Sequence, residues 1–245
     1  AILIIPSREL IGRDHYRQSP ESLKKHVMAR RRAGIDDFIS EQEIEGVYEE
    51  VFKDIDIFQN DINLLKNRFV SPLSSFATSF YKYYIVDTLL IDNTPCIDLF
   101  FTPFNAESMG FNGHMYITPD STHFIKRVKM STPNDINLNF IRSLNINLHY
   151  TPSADGTPLL DKEQLIAEFE IAGDFSGVYV KREVSYNSYL LDQPDDTSIF
   201  DHPESIVEDA DSRTKDELYW IVNRIGDVSE KERTVGDMMS LLRQS

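Results

Sequence analysis

The stretch Arg142-Ser143-Leu144-Asn145-Ile146-Asn147-Leu148-His149-Tyr150 alternates without a break. Leu144, Ile146, Leu148 and Tyr150 fall on one side, and Ser143, Asn145, Asn147 and His149 on the other. A period of two with one apolar and one polar side is the pattern of a strand in a sheet buried on one face only. Gln164 to Ile171 repeats it, with Leu165, Ala167, Phe169 and Ile171 set against Gln164, Glu168 and Glu170; Ile166 breaks the pattern. Between these segments, Thr151 to Pro158 carries Asp155-Gly156, a pair that supplies the positive φ of a tight turn. Val178 to Leu190 then brings Val178, Val180, Val184, Tyr186 and Leu190 together, interrupted by Arg182.

Working upstream, Phe80 to Ile91 is rich in aromatic and β-branched residues, which suit a pleated surface. Asp92-Asn93 follows as a hairpin signal, and Cys96 to Phe104 runs back. Gly113 to Thr118 and His123 to Met130 form a further hairpin around Pro119 to Thr122. Seven strands joined by short connections imply an antiparallel meander over residues 80–190, not a series of parallel crossovers. The fold class expected is therefore α+β: a curved antiparallel sheet with N-terminal and C-terminal helices packed on it. A run this aromatic either fills a core or lines an apolar pocket on the concave side of the sheet, and composition is the same for both.

The chain has 245 residues, 41% of them hydrophobic, and a formal net charge of −15. That length allows one large domain or two small ones, and that charge argues against nucleic acid or an anionic membrane as the partner of its bulk surface. No apolar run approaches the roughly 18 residues of a helical membrane span. Ala1 in place of a start methionine implies that the chain is processed or cut from something longer. The single cysteine, Cys96, excludes an intrachain disulfide and reads as a small buried hydrophobe in a strand.

The flanks read as helix and linker. Ala1 to Pro6 suggests a short buried strand or an apolar entry segment. Ser19-Pro20 has the form of a helix start, with Leu23, Val27 and Met28 as its stripe, Gly34 as its end and Arg30-Arg31-Arg32 near its C-terminal dipole. Ser40-Glu41-Gln42-Glu43 is a capping box, with Ile39 and Ile44 as its staple and Val47, Tyr48 and Val51 on its apolar face. Asp54 to Arg68 is ambiguous between short strands and loop, and Pro72 keeps Ser71 to Ser74 out of a regular helix. The expected main domain spans 1–191. Residues 192–213 read as an acidic linker, since Asp192 to Asp211 lacks Lys and Arg. Two helices are expected over 214–245. One is capped at Thr214 to Glu217, with Leu218, Ile221, Val222 and Ile225 as its stripe and Gly226 as its stop. The other is capped at Ser229 to Glu232, with Val235, Met238, Met239 and Leu242. Trp220 is the candidate anchor for packing them.

Chemistry is not signalled. The chain carries no nucleophile elbow, P-loop, dinucleotide fingerprint, H-E-x-x-H or C-x-x-C. No catalytic residue, cofactor site or metal site is assigned. His114 and His123 lie on neighbouring strands of the proposed hairpin, but a metal would need a third ligand, which the sequence does not name. The other histidines are His15, His26, His149 and His202. Asp87 stands inside the aromatic strand and, if buried, would need a partner such as Lys82 or a raised pKa.

Ser71-Pro72-Leu73-Ser74 followed by Phe80-Tyr81-Lys82-Tyr83-Tyr84-Ile85-Val86-Asp87-Thr88 resembles a signature of large Bacteroidetes proteins labelled carboxypeptidase-like regulatory domain-containing proteins. Cys96 to Pro103, Gly110 to Ile117, Asp120-Ser121 and Asn137 to Ile141 match in order, as do Tyr16 to Pro20 and Ala33 to Ile35 upstream. The matching region is a domain of unknown function. The resemblance implies an outer-membrane protein in which a regulatory-type β-sandwich comes first, a region like this one second and a C-terminal β-barrel last. It would put this chain at the periplasmic face of the outer membrane, with the closing helices leading toward the barrel. The strand pattern also resembles the half-barrel of periplasmic lipoprotein-carrier domains. The family label implies no peptidase activity and supplies no catalytic residues. The expectation is a non-enzymatic binding or scaffolding domain for an apolar chain, a peptide or an envelope protein. Its alternatives are a carboxylate-dependent envelope hydrolase, or a brace or plug for the adjoining barrel.

Overall fold

A computed structural model describes residues 7–33, 53–134, 136, 138, 141–169, 178–191 and 197–225. The chain divides into two compact units, one of Ala1–Glu41 with Ser188–Ser245 and one of Gln42–Asn187.

The second unit holds the meander. Strands β5 (Tyr81–Ile91), β6 (Thr94–Pro103), β7 (Asn112–Ile117), β8 (Ile125–Ser131), β9 (Ile141–Pro152), β10 (Pro158–Phe169) and β11 (Val178–Ser185) pair in sequence order into an open seven-stranded antiparallel sheet. The α+β class with a sheet of this size is as the alternation predicts. Register shifts at Ile85/Asp87, Tyr116/Ile117, Leu160/Lys162 and Glu168/Phe169 mark bulges, which curve a sheet. Two of the hairpins turn where the sequence places them. Asp92 and Asn93 both have positive φ, as does Gly156, and the Asp155 carboxylate accepts from the Thr157 amide.

One face of the sheet carries the core. Phe101, Met115, Val128, Leu144, Ile146, Leu148, Leu165 and Ala167 are buried there together with Tyr81. Ile55, Ile57, Ile62, Leu64 and Phe69 belong to the same cluster. The last three come from the hairpin of β3 (Asp61–Leu64) and β4 (Asn67–Val70), so the ambiguous stretch 54–68 resolves as a loop followed by a tight β-hairpin. Its turn residues Leu65 and Lys66 both have positive φ. After it, Ser71 is buried and bonds the Ile57 carbonyl, and one helical turn, α1 (Ala77–Phe80), leads into β5. Cys96 is buried, as expected. Arg182, which interrupts the apolar pattern of β11, lies on the core face in a buried ion pair with Glu163 and donates to the Lys53 carbonyl at 2.6 Å. Glu163 sits two residues before Leu165 on that same face, and β10 begins at Pro158, earlier than its apolar pattern suggests.

The first unit corrects the N-terminal expectation. The stretch from Ser19 to Ala33 is not a helix. Ser19-Pro20, joined by a cis peptide bond, turns the chain between β1 (Ser7–Gln18) and β2 (Glu21–Ala33). The apolar stripe proposed there is sparse, and the apolar residues that are buried, Val27 and Ala29, are two apart. The backbone of β2 is paired on both sides, by β1 and by β12 (Ile206–Glu208), which runs parallel to it. Pairing on both edges outweighs a weak helical preference. Accordingly Arg30 and Arg31 do not serve a helix dipole; they meet Glu208, Glu9 and Glu217.

The expected boundaries at residues 191 and 213 run through this unit. Part of the acidic stretch read as a linker is structured: Thr197–Asp201 forms a 3-10 turn and β12 follows. Its acids are partners for distant basic side chains, with Asp209 hydrogen-bonded to His26 at 2.8 Å and Glu208 on Arg30 at 3.4 Å. Lys24 donates to the carbonyls of His202 and Glu204 at 2.6 and 2.7 Å. Helix α2 (Glu217–Asn223) is capped by Asp216, which accepts from the Tyr219 amide at 2.8 Å, two residues later than the Thr214 cap expected. Trp220 is buried and stacks under the Arg31 guanidinium, and Arg224 reaches Glu9. The packed side of α2 is thus its Trp220 side. The stripe Leu218, Ile221, Val222 and Ile225 is exposed. No helix among the described residues is long and apolar enough to cross a membrane. The calls on Ala1 to Pro6, on the helix after Ser40 and on the helix after Ser229 lie outside the described residues.

Candidate functional site

Because β5 to β11 pair in register, side chains pointing away from the core line up across the strands. One row runs Tyr84, Phe100, His114, Lys129, Asn147, Gln164 and Glu183, one residue from each strand. A second runs Asp98, Tyr116, Arg127, His149 and Lys162. A third sets Asn112 against Ser131 and Ser131 against Asn145. The wet face read from the alternation of β9 is therefore the middle of a broad polar surface.

The first row opens on rings. Tyr84 and Phe100 lie 6.3 Å apart between centroids, Phe100 and His114 5.1 Å, and His114 stacks on Tyr116 at 6.3 Å and 15°. Asp98, whose side chain is only 12% exposed, fixes the imidazole of His114: its Oδ1 lies 2.7 Å from His114 Nδ1. A carboxylate can only accept there, so Nδ1 carries the proton and Nε2 is the available ring nitrogen. Asp98 and burial also push the Tyr116 phenol up; burial is the larger cause. At the other end of the sheet surface, Arg127 Nη2 lies 3.3 Å from His149 Nδ1. An arginine only donates, so His149 accepts and is neutral at that nitrogen. Burial first, and the Arg127 charge second, hold its pKa below the usual histidine range.

Between the first and third rows is a groove of about 390 Å³, lined by Phe100, Asn112, His114, Lys129, Ser131, Asn145, Asn147 and Gln164, with Gly113, Met130 and Ile146 at its floor. Asn112 accepts from Thr102 at 2.7 Å, and Gln164 donates to Glu183 at 2.8 Å. The Oδ1 of Asn147 is buried and finds no donor. Lys129 is exposed and has no carboxylate partner among the described residues. The groove thus offers carboxamides, one imidazole, one ammonium and a ring. Gly113 belongs to it by necessity: a Cβ there would meet the Lys129 carbonyl and come within 2.7 Å of Phe101.

The residues singled out from sequence fare differently. Asp87 is exposed on the edge strand, opposite Asp98, and accepts from the Thr88 amide at 2.7 Å; Lys82 instead lies over the Phe104 ring. His123 is not on a strand opposite His114. It sits in the turn before β8 with φ 46°, and Lys129 faces His114 across the ladder. Among the described residues no three His, Cys, Asp or Glu side chains are grouped as metal ligands. Asp98, Lys129 and Phe100 were not singled out. The available signal was a wet strand face carrying Asn145, Asn147 and His149 where a merely solvated face would carry charges.

An open antiparallel sheet with a polar groove across its solvent face is the class of domain that these features define. The chain matches the family of unknown function DUF5686 over residues 8–187, and it belongs to that family. No curated protein and no solved structure matches it.

Proposed function

We propose that this chain is a non-enzymatic binding module whose ligand lies on the polar face of the seven-stranded sheet. The observation that carries this reading is the groove itself, with the buried, unanswered Asn147 side-chain carbonyl beside Lys129, which has no carboxylate partner among the described residues. A buried acceptor without a donor costs roughly 1–3 kcal/mol, which the Asn147 side chain would recover by turning out to a bound hydroxyl or amine. The apolar face is filled by the core, so a polar ligand is favoured over the apolar chain that the aromatic composition suggested. The ordered motif matches support placing the module at the periplasmic face of the outer membrane. There it would form part of a carboxypeptidase-like regulatory domain-containing protein of Bacteroidetes, next to a β-barrel. A hydrolase built on Asp87 has less support, since that carboxylate is exposed and turned to its own neighbour.

Native mass spectrometry of the gently purified protein, followed by denaturing extraction, tests the binding reading. A retained small molecule that is lost in Asn147→Ala supports it. A clean apo mass, with no amide shifts in β7 to β9 when envelope extract is added, overturns it. The exposed stripe Leu218, Ile221, Val222 and Ile225 favours a second role as a brace against the adjoining barrel. On that reading Ile221→Glu abolishes association with the barrel and leaves the groove unchanged.

A further inference from the structure

We infer that the groove on the polar face takes a short acidic saccharide, its carboxylate on Lys129 and its hydroxyls on the surrounding carboxamides. This rests on the polar face being the binding surface and names the class of ligand.

The position of the groove excludes the commonest way a sheet binds a chain. Strands β6 to β10 are each paired on both sides, so their backbone groups are spent and nothing on this face can add a strand. Recognition must come from side chains. Those side chains are chiefly Asn112, Asn145, Asn147 and Gln164. A carboxamide both donates and accepts, as a sugar hydroxyl does, so a cluster of carboxamides fits a hydroxyl-rich ligand better than one bearing only donors or only acceptors. Asn147 Oδ1 is buried without a donor, so this side chain gains a hydrogen bond by turning out to meet such a hydroxyl. Phe100, within 5.1 Å of the His114 ring, supplies a flat apolar surface for the less polar side of a sugar ring. The volume of about 390 Å³ suits one or two rings.

The charge of the ligand follows from Lys129. In a chain of net charge −15, this lysine stands in the groove without a carboxylate of its own among the described residues. It is matched by the one carboxylate carried by the sugar ring that reaches it. A phosphate would bring more charge to one ammonium, with Glu183 in the same row to repel it.

The test is a titration of the whole chain followed by ¹⁵N NMR, with trigalacturonate, maltotriose and triglutamate as the probes. Trigalacturonate is expected to shift the side-chain amide signals of Asn112, Asn145, Asn147 and Gln164. Maltotriose is expected to bind at least tenfold more weakly, and triglutamate to leave those signals in place. Lys129→Gln, an exposed change that leaves the fold intact by thermal unfolding, should remove the preference for the acidic saccharide. Equal binding of the two saccharides, or binding of triglutamate in their place, overturns the inference. Failure of both saccharides to shift these signals also overturns it. If native mass spectrometry then still shows a retained ligand of another class that Asn147→Ala loses, the polar face stands as a binding surface; if no mass is retained and envelope extract shifts no amide in β7 to β9, that reading falls as well.

Discussion

Tyr81→Phe is the most informative single change in the sheet unit. Tyr81 is 1% exposed, and its hydroxyl donates to the Val70 carbonyl at 2.6 Å while accepting from the Phe111 amide at 3.1 Å. It therefore ties the end of β4 to the entry of β7, inside a ring cluster with Phe101 at 5.7 Å. Removing one oxygen leaves the ring packing intact and strands two backbone groups, and Phe111 is itself fully buried. At about 1–2 kcal/mol for each orphaned group, the lower part of the usual range, the loss should be roughly 2–4 kcal/mol. For a unit of this size that corresponds to a fall of about 5–15 °C in Tm. Tyr83→Phe is the control. Its hydroxyl donates to the Pro72 carbonyl at 2.7 Å, but Tyr83 is only half-buried, so water replaces the bond and the cost should be about 0.5–1.5 kcal/mol. Urea unfolding followed by circular dichroism measures both. A Tyr81→Phe loss below about 1 kcal/mol, or one no larger than that of Tyr83→Phe, would refute the reasoning. The same burial acts on ionisation. It pushes the Tyr83 phenol up to about 12 and Tyr81 further. A folded pKa above the unfolded value of about 10 gives stability that is complete below pH ~10 and is lost as the pH rises through the folded pKa. In an absorbance titration these two phenols should ionise last, together with unfolding.

Gly113→Ala should cost about 1–3 kcal/mol or more, because its new methyl meets the Lys129 backbone, which cannot swing aside; equilibrium unfolding checks it, and a neutral result would mean that the ladder there is looser than described. His149 is held below its ordinary pKa by burial and by Arg127, so the wild type should lose stability as the pH falls through about 6.5 toward the folded pKa, and His149→Gln should lose less when urea midpoints at pH 7.5 and 5.5 are compared. Burial works against the charge of Glu9, yet hydrogen bonds from Arg31 and Arg224 hold its carboxyl below the usual range. Its contribution is present above pH ~4.5 and is lost as the pH falls through the folded pKa. Trp220, the only tryptophan, lies under Arg31, so its emission should shift to the red below that pH, and should already be shifted at pH 7 in Glu9→Gln.

The meander was legible because its signals are local. Alternation in Arg142 to Tyr150 and in Gln164 to Phe169 is imposed by burial of a single face. Asp92-Asn93 and Asp155-Gly156 announce turns because positive φ is a preference of those residues wherever they stand. The identity of the wet face of β9 was legible for the same reason, and with it Asn145 and Asn147 of the candidate site. What the sequence determined by itself is therefore the number, order and sidedness of the seven strands.

The tertiary structure decided whatever depends on partners distant in the chain. Residues 21–33 carry a weak helical stripe, and they are a strand because β1 and β12 supply their backbone hydrogen bonds from either side. The acids of 204–211 read as a solvated linker until the cations of β2 stand opposite them. Arg182 reads as a fault in a strand until register brings Glu163 to it. The groove was hidden for the same reason: Phe100, His114, Lys129 and Asn147 are one side chain each on four strands, and only the hydrogen-bond register of the sheet makes them neighbours.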